Sequence, residues 1–252
     1  MKHERDLSTG LGVPSSALAI AAHPDDVEFG AGATLAKWAE AGCVVHHLIC
    51  TDGSKGTWDA TADLAALVAR RRDEQRAAAR ALGATGEVRF LDRVDGELVD
   101  DRSTRSEIAR IIRELRPAVV LGHDPWKRYR LHPDHRHSGF LTVDAVVAAR
   151  DPHFFPEHRI AHHRPDELLL FEADEPDHDE IVELRHVEAR VQALLAHESQ
   201  LETTHFHRLD DPPVDDLLGR EAAVASFRAQ QIEQLRRADG AMVERFRRVD
   251  GL

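Results

Sequence analysis

The 252 residues carry 33 basic against 45 acidic side chains, a net charge of −12. An acidic surface argues against non-specific binding to nucleic acid or to anionic membranes, so neither is expected as a partner. The apolar share of 42% supports a sizeable core, and the length suits one large α/β domain spanning 1–252. The opening stretch MKHERDLSTG has no apolar signal-peptide core. No window approaches the roughly 20 apolar residues of a membrane helix, so a soluble, cytoplasmic protein is expected. Cys43 and Cys50 form no CxxC pair and are too few for a disulfide framework. They read as small buried residues flanking a strand. Seventeen histidines are many for this length, but the number alone establishes no metal site.

In chain order, SALAIAA (16–22) reads as a buried strand that runs straight into His23-Pro24-Asp25-Asp26. An Ala-rich helix over 32–42 is stopped by Gly42. VVHHLIC (44–50) is a second strand, and 61–82 a long helix ended at Gly83. EVRFL (87–91) is a third strand. STRSEIARIIREL (103–115) opens on capping residues and stops before Pro117, as a helix does. AVVLG (118–122) is a fourth strand. This alternation implies βαβ units, that is, an α/β fold with a mostly parallel sheet and helices on both faces. The second half reads as a helix over 137–150, strands at 166–173 and 180–184, and helices over 186–201 and 221–240. The C-terminal region, about 186–252, is thus expected to be mainly helical. Segments 151–165 and 202–218 read as loops, and neither is composed like a flexible linker.

Ligands of open α/β sheets bind at the carboxyl ends of the strands. The loops that follow the early strands are 23–30, 51–59, 92–97 and 122–138. They gather the ionisable residues on one rim, the pattern of a site. One imidazole and two carboxylates in the turn at 23–26 repel or desolvate one another unless something shares the charge. A metal would do so. A second run, HPDH at 132–135, follows the fourth strand. His23, Asp26 and His135 make a His-Asp-His donor set suited to a borderline metal such as zinc, with a position left for water. Asp25 is left over beside that metal, where a carboxylate can act as general base. His132 is left over to face an oxyanion or protonate a leaving group. A single His-Pro-Asp is also good turn chemistry; two of them, each after a strand of one sheet, point to a site.

The stretches AAHPDDVEFGAGATLAKWAEAG and GHDPWKRYRLHPDHRHSG together resemble the N-acetylglucosaminylphosphatidylinositol de-N-acetylase family, also called PIG-L or LmbE-like deacetylases. RRDEQRAAARALGA (71–84), FLDRVDGEL (90–98) and AHESQ (196–200) extend the likeness over residues 16–201. The resemblance implies a Rossmann-like fold and zinc-dependent removal of an N-acetyl group from a glucosamine-type sugar. It implies His23, Asp26 and His135 as metal ligands, Asp25 as general base, and His132 facing the oxyanion or the leaving amine. It also implies sugar contacts from Arg71 and Asp95. The plainer alternatives are a solvated Arg71 paired with Glu74, and an Asp95 that only opens a turn before Gly96. Mycothiol-pathway members carry a tyrosine shortly before the second motif. Here the one tyrosine, Tyr129, stands three residues ahead of His132, which leaves the pathway open.

Smaller signals stay two-sided. Glu28 fits either an outer position near the site or a helix start. The loop DGSKGTW lacks phosphate-loop spacing and reads as a rim loop whose Trp58 could pack on a sugar. The Phe154–Phe155 pair reads as core, and His197 and Gln200 as a helix end near or away from the site. The expected function is a hydrolase that frees an amine from a small N-acetylated sugar conjugate or related N-acyl amine, with zinc, or ferrous iron in the cell. The rivals are a hydrolase of another amide or ester, and a non-catalytic metal- or sugar-binding module. Oligomeric state is not legible.

Overall fold

The computed structural model describes residues 8–206 and 217–252. Eight strands share one sheet: β1 (Ser8–Thr9), β2 (Ser16–Ala21), β3 (Val44–Thr51), β4 (Val88–Arg93), β5 (Val119–His123), β6 (Glu167–Phe171), β7 (His178–Val182) and β8 (Met242–Val249). Their order is β1-β7-β8-β6-β5-β2-β3-β4. All neighbours are parallel except β8, which runs antiparallel to both β6 and β7. The helices are α1 (Asp26–Glu40), α2 (Leu64–Ala81), α3 (Arg102–Leu115), α4 (Pro133–Arg150), α5 (Leu184–Leu195) and α6 (Leu217–Leu235). None of the described helices is long and apolar enough to cross a membrane.

The apolar run of β2 serves two cores at once. Ala17, Ala19 and Ala21 face α1 through Val27, Ala31 and Leu35. Leu18 and Ile20 face the opposite layer, against Ile108 and Ile112 of α3 and Leu141 and Ala145 of α4. A strand covered on both faces has no use for polar alternation, which is why it reads as a continuous apolar run. Cys43 and Cys50 are free thiols buried in these cores.

From β2 the chain moves to β3 and β4 on one side, then returns to lay β5 on the other side of β2. The crevice between the carboxyl ends of β2 and β5 is therefore the switch point of the sheet, where open α/β folds bind ligands. Both His-Pro-Asp runs emerge there.

Three expectations need correction. α1 begins at Asp26 and α4 at Pro133, earlier than the apolar periodicity places them, because each motif supplies the polar first turn of its helix. The region from 186 onward is not wholly helical, because Met242–Val249 forms β8. Four charged residues hide its alternation in sequence, yet Arg248 pairs with Glu167 of β6, and Glu244 is buried against helix α1. The expected loop 202–218 is entered by a π turn over Leu201–His205 and already holds the start of α6 at Leu217, and its residues 207–216 lie outside the described residues.

Candidate active site

The first run makes the tighter turn. His23, two residues past β2, is followed by Pro24 and by Asp25, whose φ of 103° and ψ of −25° are left-handed. The Asp25 carbonyl then accepts the N–H groups of Glu28 and Phe29 and opens α1. Asp26 folds back so that its Oδ2 accepts the His23 N–H at 2.8 Å. The second run is a regular helix start. His132 is the N-cap, its Nδ1 accepting the Asp134 N–H at 3.3 Å, and Pro133 holds the first helical position, where no N–H is needed. Gly139 lets α4 approach β5: a Cβ there would lie 2.7 Å from the His123 carbonyl oxygen.

That approach brings His135 to the first run. His23 Nδ1 lies 3.2 Å from Asp26 Oδ2 and 3.2 Å from His135 Nε2, and His135 Nε2 lies 3.3 Å from Asp26 Oδ1. The edges of a tetrahedron with metal–ligand bonds of about 2.0–2.1 Å are about 3.3–3.4 Å; the three side chains stand at about that spacing, with Asp26 turning one oxygen to His23 and the other to His135. The other nitrogen of His23, Nε2, faces Asp134 Oδ2 at 3.1 Å and Asp95 Oδ1 at 3.2 Å. A carboxylate on the far nitrogen is the usual partner of a metal-binding imidazole, and it leaves Nδ1 as the atom that could coordinate an ion. Asp134 is itself fixed by the N–H groups of Gly96 and Leu98.

The electrostatics agree. Burial works against a charge on His23, yet its bonds to Asp134, Asp26 and Asp95 raise its pKa well above the ordinary value. Burial likewise opposes ionisation of Asp26, but His135, His123 and His23 hold its carboxyl well below the usual range. A corner that draws a proton onto an imidazole is one that favours a cation. Asp25 behaves differently. Burial pushes it up to about 7, opposed by the Arg71 guanidinium and reinforced by the Asp26 carboxylate. A carboxyl poised near neutrality suits proton transfer.

Several contributors escape sequence reasoning. His123, the last residue of β5, sets its Nε2 3.4 Å from Asp26 Oδ2 and its Nδ1 3.1 Å from Glu172. Among the described residues three further donor groups stand close enough to share an ion: Asp26 with His123 and His135, His23 with His132 and His135, and His23 with Asp95, His132 and Asp134. Against the first of these, His123 Nε2 already accepts the Ala22 N–H. Arg130 packs on Glu172 and lies 3.1 Å from His135 Nδ1. The position of His123 at the end of an apolar strand was the one signal available for it.

Asp95 is buried, accepts the Lys55 N–H through Oδ2 and precedes Gly96 at φ 77°. It thus both opens the turn and faces the site. Burial opposes its charge, but the His23 bond takes its pKa down to about 2. Arg71 is neither solvated nor paired with Glu74, whose partners are Arg70 and Ser199. Its guanidinium is buried, donating to the carbonyls of Pro24 and Gly53. Glu28 is buried and held by Gln75, with His197 Nε2 at 3.4 Å. Its place is behind the site. His197 and Gln200 are also buried, and Gln200 donates to the Gly56 carbonyl. His132 stands at the exposed mouth, its ring 4.5 Å from that of His23. Tyr129 is 87% exposed and Trp58 73%. Phe155 packs in the core, whereas Phe154 is partly exposed.

Residues 18–146 match the model of the PIG-L family, described as GlcNAc-PI de-N-acetylase. The chain is 38% identical over 187 residues to a diacetylchitobiose deacetylase of Thermococcus kodakarensis, covering 73% of this chain and 69% of that one. It is 36% identical over 170 residues to the 1D-myo-inositol 2-acetamido-2-deoxy-alpha-D-glucopyranoside deacetylase of Kineococcus radiotolerans, covering 55% of this chain and only 46% of that relative. Its fold superposes on the N,N'-diacetylchitobiose deacetylase of Pyrococcus horikoshii, solved with the inhibitor MPG, with a TM-score of 0.78 and 27% identity. That match covers 94% of this chain and 85% of the other. The chain belongs to the PIG-L family of LmbE-like de-N-acetylases.

Proposed function

We propose that the protein is a metal-dependent hydrolase that removes the N-acetyl group of a small glucosamine-type sugar conjugate, working as one catalytic domain. The observation that carries this reading is the triangle of His23, Asp26 and His135 with a further buried carboxylate, Asp25, beside it. Ligation alone leaves that carboxylate without a task. Both relatives are named for N-acetylated sugars, and the likeness to the diacetylchitobiose enzyme runs over 73% of this chain against 55% for the inositol-conjugate enzyme. A short chito-oligosaccharide is therefore the favoured substrate class over an inositol conjugate.

His23, Asp26 and His135 would hold the ion, and two imidazoles with one carboxylate suit zinc, with ferrous iron the alternative. When bound, the ion supplies Lewis-acid polarisation of the amide carbonyl and acidifies a neighbouring water. Asp25 accepts the proton of the attacking water on its carboxylate, and the proton it then carries is available to the departing amine. His132 accepts the Asp134 N–H at Nδ1, so its neutral ring carries its proton on Nε2, at the mouth of the site. From there it donates to the oxygen that gains charge as the amide carbon becomes tetrahedral. Asp95 and Asp134 hold the far side of His23. The products are acetate and a primary amine.

The test is amine release from N,N'-diacetylchitobiose, free N-acetylglucosamine and a GlcNAc-inositol conjugate by zinc-loaded protein, with Asp25→Asn as control. Release by the wild type alone, fastest from diacetylchitobiose, is the expected outcome. No release from any of the three would overturn the reading.

A further inference from the structure

A cavity of about 570 Å³ is lined by Asp124, Trp126 and Arg128 after β5, by Asp174 and Glu175 after β6, and by Arg247 of β8. That is the size of a small-ligand site. A lone exposed aromatic is ordinary, but Trp126 is exposed and fixed at once. It is 62% exposed, yet its ring meets Phe140 of α4 edge to face, with centroids 6.0 Å apart and planes at 83°. Its backbone N–H donates to Asp124 Oδ1 at 2.9 Å. An aromatic face held in this way loses little freedom when a ligand docks on it. Around it stand three carboxylates and two guanidinium groups. This near-balance of charge suits neither a phosphate nor a polycation. It suits a neutral ring that lays its C–H face on the indole and offers hydroxyls to charged side chains, which is a sugar.

The two segments that wall the cavity also brace the metal corner. In the first, His123 and Arg130 reach the corner, at Asp26 and His135 respectively, while Asp124, Trp126 and Arg128 line the cavity. In the second, Glu172 meets His123 Nδ1 at 3.1 Å and also Arg130, while Asp174 lines the cavity. The Arg128 N–H donates to Asp174 Oδ2 at 2.7 Å and ties the two segments together. Arg247 is held by Asp177 at 2.6 Å. In the sheet order the cavity lies on the β6 side of the corner, and Asp95, after β4, on the other. We propose that the cavity binds a further sugar unit of the substrate, with Trp126 as its stacking face, so that the protein acts on a chain of sugars and not on a single unit. This rests on the reading of the protein as a sugar de-N-acetylase.

The test compares amine release from free N-acetylglucosamine and from N-acetylchitotetraose. In the wild type, kcat/KM should be at least about tenfold higher for the tetramer, the worth of one well-placed aromatic contact. Trp126→Ala should lower that ratio about tenfold, chiefly through the KM of the tetramer. Trp126→Phe, which keeps an aromatic face, should retain most of it. Equal kcat/KM for the two substrates, or a ratio unmoved by Trp126→Ala, would overturn the proposal. A second measurement needs no turnover: calorimetric binding of the tetramer to metal-stripped protein. Trp126→Ala should bind it about tenfold more weakly than the wild type. Equal binding by both, or none by the wild type, would overturn the sugar cavity even where amine is released. Binding that depends on Trp126 with no amine released from any substrate would uphold the cavity and sink the deacetylase reading alone.

Discussion

The two His-Pro-Asp runs share their first three letters and differ in almost everything else. In the first, the aspartate Asp25 caps the helix from a left-handed conformation, and His23 stands two residues outside. In the second, the histidine His132 is the cap, and the chain enters α4 through Pro133 with extended, unstrained backbone. The helix start is shifted by two residues between them. As a result, the histidine that reaches the candidate metal corner is the leading residue of the first run and the final residue, His135, of the second. The left-over group is a buried carboxylate in one and an exposed imidazole in the other. Under the proposed function, position relative to the helix start, more than residue type, would divide metal binding from proton transfer.

This contrast can be broken at either run. Replacing His135 by Ala should have the largest effect, with bound zinc lost by elemental analysis and amine release falling to background. His132→Ala should keep the metal and lower kcat by about 10²–10³, the cost of one oxyanion donor. An unchanged kcat would remove His132 from the reaction. Gly139→Ala forces a Cβ against the His123 carbonyl. It should destabilise the fold by about 1–3 kcal/mol, as overpacking does, and weaken zinc binding in a titration. The smallest effect sharpens the comparison most. Asp25→Gly should abolish turnover yet stabilise the protein by about 1 kcal/mol through relief of the left-handed backbone. That corresponds to a thermal midpoint higher by about 2–4 °C. The analogous His132→Gly, at an unstrained cap, should bring no such gain.

The central strands and the rim were legible because β2, β3 and β5 are buried on both faces and end in polar residues. The triangle was legible because two rare motifs follow strands that flank the switch point. What stayed hidden depends on contacts distant in sequence. Asp134 meets His23 across 111 residues, and Gln75 reaches Asp25 across 50. The run RRRDEQR looks like a solvated face, and only the packed helix reveals that Arg71 and Gln75 turn inward while Arg70 stays half-exposed. β8 escaped because its inward Val243 and Phe246 sit among charges that pair elsewhere.

The most direct test of this division of labour is a paired measurement on Asp25→Asn: zinc bound per chain, and amine released from diacetylchitobiose. The account predicts wild-type zinc content with turnover reduced by about 10²–10⁴, the usual contribution of a general base. Loss of zinc in step with activity would make Asp25 a ligand, and wild-type turnover would leave the reaction without its proton acceptor; either result contradicts the account.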